Sequence, residues 1–90
     1  MPKDIYVNLR AKLEEQDNWP QHYLFKFIIP SDNKKLALVE ALFGENTQVS
    51  KRQSKNNKFI SLSAKEFMLS PNEVISVYKK AAKIEGIMSL

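Results

Sequence analysis

The chain of 90 residues has no cysteine, which excludes disulfides, thiolate metal ligands and a thiol nucleophile and suits a reducing compartment. Histidine occurs once, as His22, so paired-imidazole metal spacing and a Ser/His/Asp arrangement are both absent, and His22 reads as a polar loop residue after Pro20. Only two glycines are present, Gly44 and Gly86. Each follows a helical pattern and reads as a helix stop, which leaves no glycine-rich loop to cradle a phosphate. The carboxylates Glu14, Glu15 and Asp17 are sequence neighbours near a helix end, not a converging acid/base pair. Long hydrophobic runs are missing too. The longest apolar cluster, Tyr23 to Pro30, is broken by Lys26 and falls far short of the roughly 20 residues that span a bilayer. Met1 to Asp4 leads straight into Arg10, Lys12, Glu14 and Glu15, with no apolar stretch of the signal-peptide kind. The expectation is a cytoplasmic, non-enzymatic protein with no cofactor, no metal and no membrane association.

What remains is ordinary for a globular chain: 43% hydrophobic, 27% charged and four prolines, a composition opposed to disorder or low complexity. The length suits one core, so residues 1–90 are read as a single domain, with 1–18 as an N-terminal helical extension and 22–90 as the folded unit. The net charge of +4 is uneven. Residues 1–45 carry six Lys and Arg against seven Asp and Glu, whereas residues 46–90 carry eight against three. From Thr47 to Lys65 there are Lys51, Arg52, Lys55, Lys58 and Lys65 and no acidic residue, a positive field able to draw phosphates or an acidic protein. The same charges also solubilise an exposed hairpin.

Periodicity divides the chain into elements. Ile5, Leu9 and Leu13 recur at helical spacing over residues 4–16, with Asp4 available as N-cap, and predict a peripheral helix that Asp17 to Pro20 ends. Tyr23 to Ile29 is aromatic and β-branched and reads as a central strand. Ser31 or Asp32 then caps a helix carrying Leu36, Val39, Leu42 and Phe43. Thr47 to Ser54, polar except for Val49, suits an edge strand, and Lys55-Asn56-Asn57 makes the turn because Asn tolerates the left-handed conformation. Phe59 to Lys65 alternates as a half-buried strand. Ser70, Pro71 and Glu73 form a capping-box pattern ahead of Val74, Ile75, Tyr78, Ala81 and Ala82. Ile87 to Leu90 reads as a last strand.

The order βαββαβ is the split βαβ, or ferredoxin-like, arrangement: an α+β fold with a four-stranded antiparallel sheet and two helices on one face, plus the short N-terminal helix. Period-two parity puts Phe25, Phe27, Ile29, Ile60 and Leu62 on the helix-covered face. Leu24, Lys26, Ile28, Phe59, Ser61 and Ser63 fall on the other face, which is left open for the N-terminal helix, a second copy or a ligand to cover. RNA-recognition modules share this topology but stack bases on two or three open-face aromatics, and here parity leaves only Phe59 there.

The first strand Tyr23 to Ile29 after Trp19-Pro20, the segment Ser54 to Ser63 and the terminal Ile84 to Leu90 resemble the YbeD-like family of uncharacterised bacterial proteins, from about residue 9 to residue 90. The resemblance implies a fold similar to ACT regulatory domains, which bind small effectors and often pair through their sheets. It also implies a Lys in the place of Lys26, and an aromatic followed by Ser in the places of Phe59 and Ser61. The expected function is a non-catalytic regulatory or adaptor module. It would bind a small anionic effector or a protein partner, or pair with itself through the sheet. Lys26, Lys51, Arg52, Lys55 and Lys58 would supply charge, and Phe59, Ser61 and Ser63 an aromatic surface and hydroxyls. The alternative is a nucleic-acid-binding module using the same basic hairpin.

Overall fold

The computed structural model describes residues 6–90, so Asp4 as a helix cap and Ile5 in the first helical stripe lie outside the described residues. In chain order the elements are α1 (Val7–Glu14), β1 (Gln21–Pro30), α2 (Asn33–Glu40), β2 (Gln48–Gln53), β3 (Phe59–Met68), α3 (Pro71–Ala81) and β4 (Met88–Ser89). The strands form one antiparallel sheet in the order β2-β3-β1-β4, so the two long strands lie side by side at its centre.

Parity sorts that sheet into two unlike faces. Phe25 pairs with Ala64, Phe27 with Leu62 and Ile29 with Ile60, and all but the half-buried Ile60 are fully buried. Val39 of α2 and Val74, Ile75, Tyr78 and Ala81 of α3 close over this face in one cluster. At its centre Tyr78 meets Phe25 and Phe27 with ring centroids 5.3 and 5.9 Å away, tilted geometry that aromatic quadrupoles favour.

Local chemistry sets the helix boundaries. Asp32, not Ser31, is the N-cap of α2, accepting from the backbone N–H of Lys34 (2.8 Å) and Lys35 (3.3 Å). The α-helix ends at Glu40, and tighter i→i+3 bonds (Leu42 N–H to the Val39 carbonyl, Phe43 N–H to that of Glu40) wind Phe43 into the core. Gly44 follows without a left-handed φ, so the stop does not depend on glycine there. Ser70 caps α3, its Oγ accepting from the Glu73 N–H. The return contact of the box falls one residue early: the Glu73 carboxylate accepts from the Leu69 N–H at 3.1 Å. α3 closes at Ala81 and leaves Ala82 exposed, contrary to the expected apolar stripe, and the left-handed residue arrives only at Gly86 (φ 83°).

The N-terminal helix is neither peripheral nor a cover for the open face. Leu13 is 2% exposed within the core cluster, and Trp19 donates its indole N–H to the Leu13 carbonyl at 2.9 Å. Arg10 reaches the Asn72 side chain at the start of α3. Leu9 and Leu13, two of the three stripe residues, therefore serve the same core as the other helices.

Both central strands run longer than their apolar patterns predict. β1 begins at Gln21 and β3 reaches Met68, so His22 is a strand residue paired with Phe67 instead of a loop residue. β4 is shorter than expected, pairing only Met88 with Ile28 and Ser89 with Phe27.

Candidate functional site

The open face carries His22, Leu24, Lys26 and Ile28 of β1, Phe59, Ser61, Ser63, Lys65 and Phe67 of β3, and Gln48, Ser50 and Arg52 of β2. Three of these are cations and none is a carboxylate. Among the described residues the one ion pair lies elsewhere, so Lys26, Arg52 and Lys65 have no acidic partner.

Register assembles part of this face into a site. One row across the sheet is Lys26, Ser63 and Ser50; the next is Ile28, Ser61 and Arg52. Strand spacing makes this block about 10 Å across the strands and about 7 Å along them, the scale of a single phosphate, sulfate or carboxylate group with its first neighbours. An open depression of about 430 Å³ is lined by Ser50, Lys51, Arg52, Ser61 and Ser63. Among the described residues none of the three hydroxyls makes a hydrogen bond, so each can donate to a bound oxyanion. An anion about 4 Å from Arg52 gains roughly 1 to 4 kcal/mol of attraction between the water and protein-surface limits.

The residues expected to act together are divided by the fold. Lys26, Arg52, Phe59, Ser61 and Ser63 share the open face. Lys51 borders the depression but pairs with Leu62, a covered-face residue, and its Nζ lies 3.5 Å from Glu40 Oε1 of α2. A single-residue step along a strand reverses the face, which separates Lys51 from Arg52. Lys55 and Lys58 stand exposed at the hairpin turn, beyond the depression. Their turn is held by Asn57 at φ 58°, by Ser54 Oγ accepting from the Phe59 N–H, and by Asn56 Oδ1 accepting from the Lys58 N–H.

A second concavity, about 540 Å³, was missed by sequence reasoning. His22 and Phe67, which meet edge-to-face at 5.3 Å, line it together with Gln48, Lys65, Glu66 and the loop 44–47. Glu66 anchors that loop, accepting from Thr47 Oγ1 at 2.9 Å and from the Gly44 N–H at 3.4 Å. The signal available was the alternation of Phe59 to Lys65 continuing through Phe67.

Apolar side chains surround the polar block: Leu24 is 50% exposed, Met88 54%, Phe67 49% and Phe59 44%. Phe59 and Phe67 sit at opposite ends of β3, roughly 26 Å apart along an extended strand, too far to stack adjacent bases. No group of three or more His, Asp or Glu capable of holding a metal occurs among the described residues, and no helix there is long and apolar enough to cross a membrane. Comparison with protein-family models, with curated proteins and with solved structures found no match to this chain.

Proposed function

We propose that this chain is a non-catalytic regulatory or adaptor module of the ferredoxin-like arrangement that takes a small anionic effector on its open sheet face. The observation that carries this reading is the juxtaposition of Lys26 and Arg52 with the unbonded hydroxyls of Ser50, Ser61 and Ser63 on a face with no carboxylate. Cations supply attraction and the hydroxyls supply direction, the usual division of labour in recognising an oxyanion. The sheet order β2-β3-β1-β4 supports the ferredoxin-like reading, and the proposal extends to membership of the YbeD-like family and a cytoplasmic setting. Self-pairing through the sheet belongs to the same reading.

The test is NMR titration of the full chain with inorganic phosphate and with a small dicarboxylate. Shifts confined to Ser50, Arg52, Ser61 and Ser63, lost in Arg52→Gln, support it. Saturating shifts elsewhere, or none at either anion, reject it.

A nucleic-acid interface is the second reading, favoured by the exposed Lys55 and Lys58 beside the open face. Phosphate-backbone binding weakens steeply with salt, because each neutralised phosphate releases counterions. An affinity for single-stranded RNA that falls with log salt and drops in a Lys55→Gln/Lys58→Gln variant would favour this reading over the first.

A further inference from the structure

The concavity beside the loop 44–47 and the depression over Ser61 and Ser63 have no lining residue in common. Register orders its sheet side. Gln48, Lys65 and Leu24 form one row across the open face, and Phe67 with His22 forms the next, about 7 Å further along the strands. The loop, which leads directly into β2, is a turn tied at two points. The Thr47 N–H donates to the Gly44 carbonyl at 3.1 Å, and Glu66 Oε2 accepts from Thr47 Oγ1 and from the Gly44 N–H. This wall is therefore in place before anything binds. The volume of about 540 Å³ falls within the roughly 300 to 1,000 Å³ of small-molecule sites.

Three kinds of group meet there. Phe67 is 49% exposed, and its one ring neighbour among the described residues is His22, inclined at 68°, so an aromatic face is left for stacking. The side-chain amides of Asn46 and Gln48 make no hydrogen bond among the described residues, and each offers a donor beside an acceptor, as base-reading amides do. Among the same residues Lys65 has no acidic partner and Glu45 no basic one. A carboxylate only accepts, so Glu45 favours a ligand edge with two adjacent N–H donors and is repelled where a lone pair sits beside a single donor. An apolar ring would leave these polar groups desolvated and unpaired.

We infer that this concavity binds a single guanine nucleotide, its base stacked on Phe67 and its phosphate held by Lys65. Guanine alone among the common bases sets two N–H donors side by side, at N1 and the exocyclic amine, and these meet the Glu45 carboxylate. Its O6 and N7 acceptors take the amide donors of Asn46 and Gln48. Lys65 attracts the phosphate and Glu45 repels it, which orients the nucleotide along the strands. Phe59, the other open-face phenylalanine, is at the far end of β3, so one base exhausts the stacking surface. This inference does not rest on the anion site at Arg52.

The experiment is NMR titration of the full chain with guanosine, adenosine and inosine monophosphates and with ribose 5-phosphate. Guanosine monophosphate is expected to give saturating shifts at Asn46, Gln48, Lys65 and Phe67, and to bind at least about tenfold tighter than the adenosine and inosine compounds, the value of one charge-assisted hydrogen bond. Glu45→Gln should bring the three nucleotides close to parity. Phe67→Leu keeps apolar bulk but removes the aromatic face, and should weaken binding at least about fivefold, the lower end of base stacking. Arg52→Gln should leave nucleotide binding unchanged. Equal binding of all four compounds, shifts centred on Ser50, Arg52 and Ser61, or no saturation with any nucleotide overturns the proposal, as does a response confined to single-stranded RNA.

Discussion

Gly86 packs directly against Pro30: a Cβ built on Gly86 would lie 2.9 Å from Pro30 Cγ. The backbone there is also left-handed, with φ 83°, a conformation L side chains rarely adopt. The turn leading into β4 thus fits over the end of β1 only because residue 86 has no side chain.

Gly86→Ala is expected to destabilise the fold by about 1 to 3 kcal/mol, from backbone strain and the Pro30 contact together. Urea denaturation measures it. Gly44→Ala is the contrast, since Gly44 has ordinary φ and its nearest neighbour, Thr47 Oγ1, would lie 3.9 Å from the new Cβ. A loss at Gly44 matching that at Gly86 would contradict this difference.

Strand parity predicts opposite outcomes for two leucines on adjacent strands. Leu62, fully buried beneath the helices, should cost about 2 to 5 kcal/mol when changed to Ala, because its removal leaves a cavity. Leu24 on the open face should change stability by less than about 0.5 kcal/mol. Thermal and urea unfolding of the two variants side by side decide the matter.

Tyr78 predicts an alkaline limit. Burial, and then the hydrogen bond with Tyr23 at 3.1 Å, raise its phenol well above the ordinary tyrosine value. The unfolded chain ionises this group near about pH 10 while the folded chain retains the proton, so stability falls as pH rises through that value and is unaffected below it. Tyr78→Phe should flatten this part of the stability curve in urea titrations between pH 8 and pH 11, whatever its cost at neutral pH.

Adjacent cations should behave differently. Lys51→Gln loses the Glu40 contact, an exposed pair at 3.5 Å, and should change stability by no more than about 1 kcal/mol while leaving phosphate titration of the open face intact. Arg52→Gln should leave stability within about 0.5 kcal/mol and abolish that titration.

The fold was legible wherever a period was clean. Phe25, Phe27, Ile29 and Leu62 declared one face of the sheet by alternation, and Ser70-Pro71 declared the start of α3 by capping chemistry. Strand length was less legible. Gln21 and His22 carry no apolar alternation, and Phe67 follows a charged pair, so both strands read short although pairing across the sheet extends them. The burial of Leu13 is not legible for another reason: a single stripe of leucines shows that a helix has an apolar side, not which surface it meets. Half the candidate site followed from parity. Composition counts charges without regard to face and so groups Lys51 with Arg52, and although alternation extends to Phe67, its meeting with His22 is set by register between strands distant in sequence.

Alternation on β1 and β3 assigns odd and even positions to the buried and the open face, so substitutions can alter either almost independently. Length changes cannot. Deleting one residue inside β1 would slide Lys26 into the place of Phe25 and turn the interior outward along the remaining strand. Insertions and deletions across related chains should therefore accumulate in the loop 44–47 and the hairpin tip at Lys55–Lys58, and spare the two central strands.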